Sequence, residues 1–417
     1  MSKRMNILVS VNHCAPGMGS EHGVGWNFIS HLSHHHNLFV ICREHEYISS
    51  LIDATTSPEW KDRFVRFYFI PQHTEYRGWT AHFPLFYYKD YNRWEKRVYA
   101  LAKEIIEKES IDLVHHITNI TFREPGYLWK LNKPFVWGPV GVLGDEPIRF
   151  ISLYNLTEQI KMILRRITCV AHLKYSKRLR TALSSAALCL PVSDHVRKVL
   201  ASVATTRFEV MPETGSSREE VVFSEVNRRS PDEPIQLLWL SRFDHSKGVL
   251  LLLKAIESLD PKINYELILA GDGPYRQKAL DYCTKRGIRT NYMGVVPHHE
   301  VASVYREAHL FFITSLMDAT TSVLFEALEA GCPIICLNHL SYSEVVDERC
   351  GIKVDVQSIP QIAHDIRHHI THLYHHEELR YTLGRGAMEK AVSHAWSTKI
   401  KRLNSLYQSL HTEAKEE

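Results

Sequence analysis

Two cations stand five residues apart in "LSRFDHSKGVLLLLKAI": Arg242 where one apolar run ends, and Lys247 just before Gly248 opens another. A guanidinium acts as a fork and an ammonium as a point charge, and together they suit a diphosphate. Two solvated surface charges are the plain alternative. Farther along, "FFITSLMDATTSVLFEALEAGCPII" (311–335) places an acid at each end of a small-residue break, Asp318 and Glu326, which a mere connector does not need. Glu326 falls one turn into a helix starting near Thr321 or Ser322. A reciprocal capping carboxylate would stand at Leu324 or Phe325, so Glu326 is not placed for capping. From there a carboxylate accepts hydrogen bonds from two adjacent hydroxyls, as on a ribose. The backbone N–H groups of the small residues before it, Thr320, Thr321 and Ser322 among them, meet a phosphate or a sugar oxygen.

Two glycine-bearing turns accompany these residues. "AGDGPYRQ" contains Gly271 and Gly273 and reads on its own as a structural turn. "CAPGMGSEHGVGWNF" carries Gly17, Gly19, Gly23 and Gly25 and leads through Ser20 into a helix. Its spacing is not that of dinucleotide binders, so a tight turn without ligand competes with backbone approach to a phosphate or sugar.

Such residues act only if the fold gathers them. Short β-branched runs at 6–11, 37–42, 63–70, 112–117, 134–138 and 186–193 alternate with helical patterns. A second series follows at 235–241, 265–271, 291–296, 309–315, 332–338 and 351–356. Alternation of this kind predicts an α/β protein with two doubly wound parallel sheets, each Rossmann-like. Ligands of such sheets bind beyond the carboxyl ends of the strands, where the loops above fall. The polar stretch 216–234 carries two prolines and reads as a linker, separating a first domain (1–215) from a second (235–390). Within 391–417, Trp396, Ile400, Leu403 and Tyr407 recur at helical spacing and describe an amphipathic closing helix.

Composition narrows the partners. The chain has 417 residues and a formal charge of only +3, which gives no general argument for nucleic acid. Its eight cysteines are scattered without a CxxC pair, which fits buried reduced thiols and a cytoplasmic setting rather than a disulfide or zinc framework. No run approaches the roughly 18 apolar residues of a spanning helix, and the start lacks a secretion signal.

Taken together, the Arg-x4-Lys-Gly loop, "LAGDGP", "NYMGVVPHHEVASVYREAHLFFITS" and an acid separated by seven residues from Glu-Ala resemble the retaining glycosyltransferases of family four. The resemblance implies the GT-B fold, with two Rossmann-like domains facing across a cleft and the last helix returning to the first domain. It assigns Arg242 and Lys247 to the donor diphosphate, Glu326 to the ribose, and Asp318 to the transferred sugar. It also puts Val295 and Val296 near the base through their backbone, Gly271 and Gly273 on the nucleotide side, and Gly19 and Ser20 in the glycine-rich loop of the first domain. "FVWGPVGVLGDEP" resembles a stretch of a subgroup that builds surface polysaccharides. The implied activity is metal-independent transfer, with retention, from a UDP- or GDP-sugar to a saccharide or lipid-linked acceptor, with no cofactor and no nucleic-acid partner.

Two departures matter. Asp318 replaces the usual glutamate, and the His-x-His of many members becomes His115 followed by Ile117, so that His115 or His116 is either the donor contact or a packed histidine. A nucleotide-sugar-binding or scaffold protein without turnover is the alternative these departures raise. An epimerase of the same fold lacks the Arg-x4-Lys and acid-x7-Glu pairing. Finally, "KMILRRITCVAHLKYSKRLR" (161–180) has seven Lys or Arg and no acid, with Met162, Ile163, Ile167, Val170 and Leu173 interleaved. It reads as a solvated helix or as a basic surface resting on an anionic inner membrane leaflet.

Overall fold

The computed structural model describes residues 4–71, 84–141, 147–317 and 321–416. All twelve runs form strands: β1 Asn6–Val11, β2 Asn37–Arg43, β3 Val65–Ile70, β4 Leu113–Thr118, β5 Phe135–Val140 and β6 Leu188–Pro191 in one sheet, and β7 Ile235–Leu240, β8 Tyr265–Ala270, β9 Thr290–Gly294, β10 Leu310–Ile313, β11 Ile334–Leu337 and β12 Gly351–Val354 in the other. The first sheet runs β3-β2-β1-β4-β5-β6 and the second β9-β8-β7-β10-β11-β12, so both have one strand order. All recorded pairings are parallel. The order reverses between β1 and β4 and between β7 and β10, and a crevice opens at such a reversal.

Successive strand residues feed opposite faces, which explains why the runs are nearly all apolar. In the second sheet Leu237, Trp239, Leu267, Leu269, Leu310 and Phe312 pack on one side. Leu238, Ile268, Phe311 and Ile313 pack on the other. The first sheet divides in the same way, Ile7, Val9, Leu38 and Val40 to one layer, Leu8, Phe39 and Ile41 to the other. All eight cysteines are buried free thiols within these layers.

The chain forms two compact units: residues 1–142, 169–213 and 396–417 make the first, and 143–168 with 214–395 the second. The helix Trp396–Glu416 belongs to the first unit because Trp396, Ile400, Leu403 and Tyr407 share its core with β1 and β2. Phe150, Tyr154 and Met162 are in the core of the second unit beside Leu250 and Ile256. The polar stretch 216–234 lies along the second unit. Val226 is buried there, Arg380 donates to the Asn227 carbonyl at 2.5 Å, and Arg228 forms a forked pair with Glu378 at 2.6 and 3.1 Å.

Candidate functional site

At the strand-order reversal of the second sheet, the loop leaving β7 is stitched to the loop leaving β10. Leu316 N–H donates to the Ser246 carbonyl at 2.6 Å, and the Thr314 hydroxyl donates to the Lys247 carbonyl at 2.8 Å. Trp239 Nε1 donates to that same hydroxyl at 3.1 Å. Gly248 has φ +64, and a Cβ there would lie 2.3 Å from the Thr314 carbonyl oxygen, so only glycine allows the two loops this close. Arg242 and Lys247 are therefore fixed at the ends of one short rigid turn.

Asp244 aims the arginine. Its Oδ2 accepts from Arg242 Nε at 2.7 Å, and its Oδ1 accepts from the backbone and hydroxyl of Ser246 at 2.9 and 2.5 Å. Burial pushes the Asp244 carboxyl up, but the Ser246 and Arg242 hydrogen bonds outweigh it and hold the group below its ordinary range. The Arg242 side chain remains 73% exposed, which leaves a guanidinium facing solvent from a buried anchor. Asp244 is a functional residue whose only signal in the sequence is an acid two positions after the arginine.

Gly271 and Gly273 serve the same loop. A Cβ on Gly271 would lie 2.0 Å from the Ser241 carbonyl oxygen, and one on Gly273 2.4 Å from that of Phe243. Backbone packing thus accounts for both glycines, and Phe243 N–H donates to the Asp272 carbonyl at 2.8 Å across the contact.

Thr321 is the N-cap of the helix Ser322–Glu329 and makes no side-chain capping bond, so the first-turn N–H groups are not satisfied by its hydroxyl. One turn on, Glu326 lines a cavity of about 550 Å³ with Ser217, Arg218, His298, Arg306 and Glu329. Burial raises the Glu326 carboxyl above its ordinary range, against opposing effects of Ser322, His298 and Tyr305. Tyr305, fully buried, was not anticipated from the sequence. Val295 is exposed and Val296 half-buried just past Gly294, whose φ is +72. Asp318 and Thr320 lie outside the described residues.

In the first unit, Gly19 is the N-cap of the helix Ser20–Leu32 and also makes no side-chain cap bond. Gly23 and Gly25 fall inside that helix rather than before it. Their missing side chains admit the Met18 and His13 carbonyl oxygens, which a Cβ would meet at 2.2 and 2.0 Å.

Both histidines are packed in the core of the first unit. His115 is fully buried with both ring nitrogens engaged: Nε2 donates to the Gly138 carbonyl at 2.7 Å, and Nδ1 accepts from the Tyr407 hydroxyl at 2.5 Å. That pairing fixes a neutral ring, and burial pushes its pKa down to about 3. Its side chain is engaged within the core, the second of the two readings the sequence leaves open. His116 is also fully buried, with Nδ1 3.9 Å from Oε1 of the equally buried Glu95. Burial drives the two apart, His116 down to about 4 and Glu95 up to about 8, so both are neutral near pH 7.

The basic stretch is a helix, Leu156–Tyr175, followed by Lys177–Ser184. Leu156, Ile160, Leu164 and Ile167 are 71, 51, 55 and 59% exposed, at spacings that put them along one side of the helix. Met162 instead packs in the core, and Arg178 turns inward to Glu124 and the Tyr127 hydroxyl. The exposed apolar stripe therefore begins earlier than 161, and one of the seven cations does not belong to it. No helix among the described residues is long and apolar enough to cross a membrane.

Residues 223–388, which contain the Arg242–Lys247 turn and Glu326, match the family model described as glycosyl transferases group 1. An uncharacterized glycosyltransferase of Methanocaldococcus jannaschii is 24% identical over 313 residues, 75% of this chain and 79% of that protein. The O-antigen chain mannosyltransferase B of Escherichia coli is 28% identical over 204 residues, 45% of this chain and 52% of its own length. Among solved structures, sucrose-phosphate synthase from Thermosynechococcus elongatus superposes with a TM-score of 0.65 at 16% identity, covering 98% of this chain and all of that one. Anabaena HepE in complex with UDP gives 0.62 at 14%, covering 97% of this chain and all of its own. At those identities the likeness of the solved structures bears on the fold.

Proposed function

We propose that this GT-B glycosyltransferase moves a sugar, of the hexosyl class, from a UDP- or GDP-sugar to a saccharide or lipid-linked saccharide in polysaccharide or glycoconjugate synthesis. The observation that carries this is the buried Asp244 anchor presenting Arg242 at the strand-order reversal, on the same turn as Lys247 and hydrogen-bonded to the loop that leads towards the helix bearing Glu326. In this reading Arg242 and Lys247 neutralise charge growing on the leaving diphosphate, and the bare first turn at Thr321 and Ser322 adds N–H donors. Glu326 holds the ribose hydroxyls, Val295 and Val296 border the base, and Asp318 meets the transferred sugar. Gly19 and Ser20 place a second helix N-terminus in the first unit. Transfer proceeds with retention and without a metal ion, the two cations supplying the positive charge. The names of relatives agree in kind: HepE is seen with UDP, and the Escherichia coli relative is an O-antigen chain mannosyltransferase.

The test is transfer from radiolabelled UDP- and GDP-sugars in the presence of EDTA, with the product's anomeric configuration read by NMR. Retained configuration and EDTA-insensitive turnover are expected. Affinity without turnover for every donor would leave a binding or scaffold protein of the same fold.

The apolar stripe of Leu156, Ile160, Leu164 and Ile167 favours a second element of the reading: attachment to the anionic cytoplasmic face of a membrane. Lys161 and Arg166 are exposed on the same helix, and a cation near such a surface contributes about 1 kcal/mol. Vesicle co-sedimentation should require anionic lipid, fall with salt, and drop for Leu164→Gln with Ile167→Gln. Unaltered binding of that variant would overturn the assignment.

A further inference from the structure

We infer that the first unit holds a notch for an acidic group of the acceptor, a phosphate or a carboxylate, at the carboxyl edge of its sheet. The inference rests on the glycosyl-transfer reading above and adds the acceptor's chemistry to it. Asn12 follows directly on β1, at the strand-order reversal. Its N–H donates to the Thr118 hydroxyl of β4 at 2.8 Å, which fixes the backbone. Its side chain is 0% exposed, yet neither Nδ2 nor Oδ1 has a hydrogen-bond partner among the described residues. Trp94 Nε1, 5% exposed on the helix Pro84–Lys108, is likewise without one. Buried amides and indoles are ordinarily satisfied, so two orphans on residues that line one void mark a place shaped for something polar.

That void has a volume of about 10 Å³ and is lined by Asn12, Trp94, Arg43, Arg93, Arg97 and Asp90 among others. Such a volume admits about one oxygen atom. Three guanidiniums against one carboxylate make the surroundings net positive. Arg43 closes β2, while Arg93 and Arg97 stand one turn apart on the helix. Arg97 also donates to the Pro71 carbonyl at 2.8 Å, which holds its head at the rim. Donors outnumber acceptors, and planar guanidiniums match the paired oxygens of a phosphate or carboxylate. One such oxygen, seated in the void, takes the Asn12 and Trp94 N–H groups while the arginines meet the rest of the group.

The experiment uses the full chain carrying Arg242→Ala and Lys247→Ala, so that the donor clamp does not compete for the probes. Inorganic pyrophosphate, methyl glucuronide and uncharged methyl glucoside are titrated by calorimetry. An anion is expected to bind in a salt-sensitive way, methyl glucoside not at all, and Arg93→Gln with Arg97→Gln to weaken the anion about tenfold or more. Asn12→Ala should weaken it too, and the arginine variant stands alone if Asn12→Ala does not fold. Preference for pyrophosphate identifies a lipid-linked phosphate as the source, and preference for the glucuronide an acidic sugar. Absence of anion binding, equal binding of methyl glucoside, or an unchanged constant in the arginine variant overturns the notch. Because no donor is present, these outcomes are independent of whether transfer occurs. Where the otherwise unsubstituted chain does turn over, the arginine substitutions should raise KM for an acidic acceptor and leave donor KM unchanged.

Discussion

Two sheets with one strand order meet their ligand-facing edges in opposite ways. At the reversal of the second sheet, polar groups are anchored below and presented above: Asp244 is buried and Arg242 is 73% exposed. At the same point of the first sheet, polar groups are drawn inward. Asn12, His115 and His116 are all 0% exposed, and Thr118 ties the β1 edge to β4 from within. Topology supplies a crevice in both units, but the residues at the strand ends differ: in the second they offer charge to solvent, and in the first they stay neutral in the core while the charge comes from Arg43, Arg93 and Arg97 around them. An exposed guanidinium suits a ligand that brings its own charge, whereas buried neutral imidazoles suit a rigid wall.

The sharpest way to break this comparison is at Glu326. Glu326→Ala should weaken donor binding by on the order of 10² to 10⁴, since two charge-assisted hydrogen bonds go, each of about 1.5–3 kcal/mol. The wild-type carboxyl is raised chiefly by burial and binds hydroxyls best when ionised. Donor affinity should therefore increase as pH rises through that raised value, whereas Glu326→Gln should bind weakly and show a flat profile in calorimetry. Next comes the turn that carries Arg242 and Lys247. Arg242→Ala or Lys247→Ala should lower kcat by on the order of 10² to 10³. Their thermal unfolding should shift by no more than about 1 kcal/mol, because the Arg242 head is largely solvated. Comparable losses of stability and turnover would erase the distinction between the two edges.

The first unit should respond in the other sense. Tyr407→Phe leaves the buried Nδ1 of His115 without its donor and should cost about 1–3 kcal/mol in chemical denaturation, with donor affinity unchanged. A change in donor affinity would return His115 to the site.

The smallest effect concerns Glu95. Held up to about 8, it keeps a proton in the folded chain that the unfolded chain has already released, so stability falls as pH rises through that window. His115 and His116, held low by burial, act oppositely: they lose stability as pH falls below the ordinary histidine value of 6.5. The Glu95 slope should therefore stand clear between 6.5 and about 7, at up to about 1.4 kcal/mol per pH unit, because above about 7 the buried Lys399, which burial pushes down to about that value, contributes with the opposite sign. Glu95→Gln should abolish it in urea titrations across that range.

The amino-acid sequence by itself determined the elements. All twelve strands lie where β-branched runs marked them, and the closing helix follows the Trp396, Ile400, Leu403 and Tyr407 spacing. Period and punctuation are local properties, and local properties suffice for a strand or a helix. The Arg-x4-Lys turn was equally legible, because a βα turn places residues near in sequence near in space. What the tertiary structure alone decided is which way the remaining polar groups face. Tyr407 reaches His115 across 292 positions of sequence, and Arg178 finds Glu124 across 54. Gly271 and Gly273 owe their type to the Ser241 and Phe243 carbonyls pressed against them. The stretch 147–168 joins the second unit because Phe150 and Tyr154 find their apolar partners there. Each of these depends on the element that packs in front of the residue, and that neighbour comes from a distant part of the chain, where no periodicity points.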